Sequence, residues 1–76
     1  MKFKVTESHI KNGVRRSSFK DPICLAIKEK FPDLYVEVNE SVIWIGDKKF
    51  VTPLQVQNFI MAFDKGLYSD LKEFEL

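Results

Sequence analysis

The sequence predicts an α+β domain: a small, mostly antiparallel sheet of four or five strands, two helices packed on one face, and a short N-terminal helix. Three observations predict it. Apolar and polar residues alternate at both ends of the chain, in "KFKV" and "KEFEL". Two dipeptides, Asp21-Pro22 and Thr52-Pro53, each open a stretch with helical apolar spacing. Between them lie two strand-like runs, "LYVEV" and "SVIWI".

In chain order, "KFKV" puts Phe3 and Val5 on one face and Lys2 and Lys4 on the other, as in a short strand. Thr6 is a helix N-cap, and the helix it opens runs to Lys11 or Asn12. Gly13 is expected to end that helix in the left-handed conformation. Residues 14–20 read as a polar loop. Asp21 can accept a free N–H at the start of the next helix, and Pro22 suits its first position. That helix is expected over about 22–31, with Ile23, Ile27 and Phe31 as its stripe. Cys24, Leu25 and Ala26 make its first turns apolar nearly all round, so it is either a central helix or one covered by another subunit. Pro32 ends it. Strands follow at 34–38 and 41–45. "SVIWI" suits a central strand or one covered on both faces. "GDKK" turns the chain into a return strand beginning with "FV". Thr52-Pro53 is read as a second cap of the Asp21-Pro22 kind, opening a helix over 53–65. Val56, Phe59, Ile60 and Phe63 form its buried face, flanked by Leu54 and Met61, and Gly66 closes it. "LKEFEL" supplies the last strand.

Seventy-six residues make a single domain, 1–76, with one small core. A chain of this size buries only about 60% of its unfolded surface, so self-association would help it. The lone cysteine excludes an internal disulfide and points to a reducing compartment or to indifference; a cytoplasmic setting is the expectation. No apolar run has the length of a membrane span or a signal peptide, so no membrane role is expected. Net charge is +1, unevenly placed. Residues 1–20 hold six basic and one acidic side chain; the remainder hold six basic and ten acidic. The basic end can attract a phosphate-bearing or acidic partner, or it can pair with the acidic end of its own fold or of a neighbouring copy.

The candidate anion site is the loop before the second helix: Arg15, Arg16, Ser17, Ser18 and Lys20. Arginine grips phosphate in two-pronged fashion, serine hydroxyls donate, and a helix N-terminus presents free N–H groups. Asp21 opposes this, because it caps that helix and repels an anion. The opposing reading is a solvated loop. Cys24 among apolar neighbours reads as a buried, inert thiol. His9 is the sole histidine, and one His with one Cys is too few for a metal site. No catalytic residue, metal or cofactor is therefore expected. The long link and the apolar second helix oppose a helix-turn-helix. Trp44, Tyr35 and Tyr68 could stack on bases, but a charge of +1 does not support a nucleic-acid role. Ile23, Leu25, Tyr35 and Trp44 are the candidate interface residues, from the apolar excess of 23–27 and 42–45.

The chain resembles a family of small proteins encoded by bacteriophages and prophages. The likeness rests on Thr6, His9-Ile10 and Gly13; on "DPICLAI", with Asp21 where similar chains often have cysteine; and on "FIMAFDKG" followed by "KEFEL". The resemblance implies an accessory, anti-defence context: binding and disabling a host protein, or sequestering a signalling nucleotide. Two functions follow as expectations. One is an interaction protein that binds a host protein, as a homo-oligomer. The other is a binder of a phosphate-bearing metabolite or nucleotide through loop 14–20.

Overall fold

The computed structural model describes residues 1–67 and 70–76. Its elements are β1 (Lys2–Lys4), α1 (Glu7–Asn12), α2 (Pro22–Lys30), β2 (Val36–Val38), β3 (Val42–Ile45), β4 (Lys48–Val51), α3 (Leu54–Asp64) and β5 (Glu73–Glu75). This is the α+β class and the order of elements that the sequence predicts. The five strands form two antiparallel sheets, one of β1 and β5 and one ordered β2-β3-β4.

The small sheet joins the two ends of the chain. Lys2 lies opposite Glu75, Phe3 opposite Phe74, and Lys4 opposite Glu73. Inward, the Phe3 and Phe74 rings stack at 5.1 Å, and Phe31 meets Phe3 edge-on. Outward, two lysines face two glutamates across the ladder, where opposite charges are favourable. The basic beginning of the sequence thus meets the acidic end of its own fold.

α2 is the central helix. Pro22, Ile23, Cys24, Ala26 and Ile27 are buried among β1, β2 and α1, so the chain itself covers the all-round apolar turns. Ile23 has no exposed surface and cannot contact a partner, which removes it from the candidate interface. Asp21 caps α2 as expected, accepting the Cys24 N–H at 2.7 Å. α3 adds Val56, Phe59 and Ile60 to the same core.

Three local expectations need correction. Gly13 ends α1 with φ −68°, not in the left-handed region. Its need for glycine is space, because a Cβ there would lie 2.6 Å from Pro22 Cγ. Thr52 does not cap α3: its hydroxyl donates to the Asn39 carbonyl at 2.9 Å. Asn39 Oδ1 in turn accepts the N–H groups of Ser41 and Val42, so Thr52 ties the start of α3 to the β2–β3 turn. Thr52→Val is expected to cost about 1 kcal/mol, read as a lower urea midpoint, because the bond from the buried Thr52 to the Asn39 carbonyl is lost. An unchanged midpoint would show that the bond contributes nothing. Finally, the β3–β4 turn is only Gly46-Asp47, so Lys48 and Lys49 belong to β4. Gly46 has φ +62° at the first turn position, as a type II′ hairpin requires.

Candidate functional site

Loop 14–20 is held by its own hydrogen bonds. The Val14 N–H donates to the Lys20 carbonyl at 2.7 Å. Ser17 Oγ accepts the N–H groups of Phe19 and Lys20. The Val38 N–H donates to the Ser18 carbonyl at 2.8 Å, which docks the loop along β2. Arg16 sits at φ +60°, a conformation uncommon for a side-chain-bearing residue. Its N–H donates to Asp64 Oδ1 at 2.8 Å. The Arg15 guanidinium lies against Gly66 at the C-terminal end of α3, where helix carbonyls favour a cation.

Arg16, Ser17 and Ser18 therefore do meet in one open groove of about 520 Å³. The groove is not basic. Asp21, Glu40 and Asp64 line it as well, against the single guanidinium of Arg16. Arg15 and Lys20 are outside it. Phosphate would face three carboxyls there. Sequence reasoning anticipated the opposition of Asp21. It missed Glu40 and Asp64, which are distant in the chain and carry no local pattern.

Asp21 is 2% exposed. Burial pushes its carboxyl up to about 7, helped by the nearby Asp64 charge and resisted by the bonds from Cys24 N–H and Ile23 N–H. The Cys24 thiol is buried and pushed up to about 12 by burial and by Asp21. It donates to the Phe19 carbonyl at 3.2 Å. A thiol so placed is a packing group, not a nucleophile. His9 is occupied too. Its Nδ1 accepts the Thr6 N–H at 3.0 Å, while Thr6 Oγ1 accepts the His9 N–H, so histidine takes the usual Glu or Gln place in a capping box. That leaves the ring proton on Nε2, which donates to Glu29 Oε2 at 2.5 Å. Among the described residues no group of three His, Cys, Asp or Glu could hold a metal, and no helix is long and apolar enough to cross a membrane.

The second candidate surface is the β2-β3-β4 sheet. Val36, Val38, Ile43 and Ile45 are buried on its inner face. The register places Glu37, Trp44 and Lys49 side by side on the outer face, with Val42 opposite Val51 in the next row. Val51 is 82% exposed, and Trp44 and Val42 are partly exposed. Lys49 Nζ lies 6.0 Å from the Trp44 ring centroid. Tyr35 precedes β2, is half exposed, and donates its hydroxyl to Glu37. Phe19 packs edge-on against Tyr35 and extends the apolar surface. Of the expected interface residues, Trp44 and Tyr35 thus belong to one surface. Leu25 is half-buried on α2. Val42, Val51 and Phe19 were missed; strand alternation could have found Val42. Tyr68 lies outside the described residues. Comparison of the chain with protein-family models, with curated proteins and with solved structures finds no match.

Proposed function

We propose that the chain is a non-enzymatic protein-interaction module working through the outer face of the β2-β3-β4 sheet. The observation that supports this best is the partly exposed Trp44 at the centre of the outer sheet face, with Val42, Val51 and Tyr35 around it. Tryptophan and tyrosine are the side chains that most often dominate binding energy at protein interfaces. The nucleophile and base candidates have other employment: Cys24 is buried and His9 is bound within its capping box. The partner we propose is a protein of a bacterial host, as the expected likeness to phage-borne accessory proteins implies.

A photo-crosslinking residue at Val51 tests the reading inside cells, with Lys65 at the end of α3 as the control position. The expected result is a discrete crosslinked polypeptide from position 51 that disappears in the Trp44→Ala background. Equal adducts from both positions, or adducts indifferent to Trp44→Ala, would remove this surface from consideration. Phosphate capture by loop 14–20 has weaker support, since three carboxyls share its groove. Titration calorimetry with inorganic phosphate and with ATP is expected to show no saturable heat. Saturable binding abolished by Arg15→Ala/Arg16→Ala would restore that alternative.

A further inference from the structure

The row that crosses the three strands has a charge order. Glu37 on β2, Trp44 on β3 and Lys49 on β4 run negative, aromatic, positive. From this row we infer that the outer sheet face binds a second copy of the chain, around a two-fold axis that runs along β3 through Trp44. The inference rests on the interaction reading above and names the occupant of that same surface.

Symmetry carries the argument. In a two-fold dimer the same patch meets itself, so the patch must be complementary to its own rotated image. Rotation about an axis along β3 exchanges the β2 and β4 sides of the sheet. Glu37 of one copy then faces Lys49 of the other, twice, and the two Trp44 rings meet on the axis. Rotation about an axis across the strands puts Glu37 over Glu37 and Lys49 over Lys49, with like charges opposed. Only the first axis satisfies the row. It also keeps facing strands aligned, as aligned sheet packing requires within about 30°. Val42 and Val51, next along the strands, stay within the contact and supply apolar burial.

The alternative for a second copy is edge pairing. The β2 edge is partly covered by Ser18, whose carbonyl takes the Val38 N–H. The β4 edge carries Lys48 and Lys49, the usual protection of an edge strand. The face is therefore the better surface. Its size sets the strength. Three strands about 4.8 Å apart, one of three and two of four residues, make a patch of roughly 200 Å². That falls short of the roughly 800 Å² per partner of a standard interface. The dimer is accordingly reversible, with Kd in the range of roughly tens to hundreds of micromolar.

Sedimentation equilibrium from 10 µM to about 1 mM at low salt tests this, with circular dichroism to confirm that each variant is folded. The expected result is a monomer–dimer equilibrium. Glu37→Lys alone and Lys49→Glu alone should each weaken it about tenfold, because each turns two attractions into two repulsions. Glu37→Lys with Lys49→Glu should restore it, and Arg15→Ala/Arg16→Ala should leave it unchanged. Failure of the folded double exchange to restore the dimer overturns the axis. A dimer indifferent to Trp44→Ala overturns the face. A monomer throughout the range overturns self-association; Trp44-dependent crosslinks to another protein would in that case still uphold the interaction reading. If Trp44→Ala alters neither measurement, both fail.

Discussion

Asp21→Asn is expected to stabilise the fold by about 4 kcal/mol at pH 8 and to change it little near pH 4. Asp21 is buried, and its carboxyl is pushed from 3.8 up to about 7. The folded state therefore holds this proton where the unfolded chain has released it. Between the two values folding takes up a proton, so the stability linked to Asp21 is complete below about 4 and falls as pH rises to about 7. Above that the loss is constant. The distance from 3.8 to about 7, at roughly 1.36 kcal/mol per tenfold in proton affinity, gives the magnitude. Asparagine is a good N-cap and can keep the bond to the Cys24 N–H, so the substitution removes the charge and keeps the structure. Subtracting urea unfolding energies of wild type and variant, pH by pH, isolates Asp21 from the other carboxyls. A difference that stays flat from pH 4 to pH 8 would mean that Asp21 is ionised in the fold at no cost.

Asp64 provides an independent check. Its charge raises the Asp21 value, while its own Oδ1 accepts the Arg16 N–H. Asp64→Asn can keep that bond and remove the repulsion. It should therefore also stabilise at pH 8, by less than Asp21→Asn. Cys24 reports the same event chemically. Its thiol has no exposed surface and sits one helical turn from the capping carboxyl. Labelling of the native protein should proceed only through opening of this region. At equal thiol-reagent reactivity, Asp21→Asn should slow it.

Much of the fold was legible because its signals are local. Thr6 caps α1, Asp21-Pro22 opens α2, and the Val56, Phe59, Ile60 stripe faces inward, each from a few adjacent residues. What escaped was decided by distant partners. Thr52-Pro53 looks like Asp21-Pro22, but the nearby Asn39 carbonyl takes the Thr52 hydroxyl and α3 starts without a side-chain cap. Nothing near residue 2 says that β1 will pair with β5 and not join the other three strands. The same holds for the site. The Arg15, Arg16, Ser17, Ser18 cluster reads as basic in the sequence, and the fold then adds Asp64 and Glu40 beside it. Trp44 was visible as an aromatic in an apolar strand. That Trp44 stays partly exposed while Ile23, equally apolar, goes wholly inside is decided by the packing of the whole fold.

Gly13→Ala is expected to destabilise the domain by about 2–3 kcal/mol, and the cause is contact. A Cβ at residue 13 would lie 2.6 Å from Pro22 Cγ, 2.7 Å from Pro22 Cδ and 2.9 Å from the His9 carbonyl. No flexible side-chain end can yield there. The proline ring is rigid, buried, and fixed at the first turn of α2, and the His9 carbonyl belongs to α1. The methyl must instead push α1 off α2, and α2 is the element around which β1, β2 and α1 are packed. For a chain of this size such a loss is a large part of total stability. The backbone at Gly13 has φ −68°, open to any residue, so conformational strain cannot account for the effect. A double-mutant cycle with Pro22→Ala separates the explanations. Removing the ring deletes two of the three close contacts, so Gly13→Ala should cost less in the Pro22→Ala background, by at least about 1 kcal/mol. Strict additivity would mean that the helices do not meet at this point. Recovery in the double variant would fix the Gly13–Pro22 contact as the joint that sets the entry of α2 into the core, and with it the position of Asp21 at the helix start.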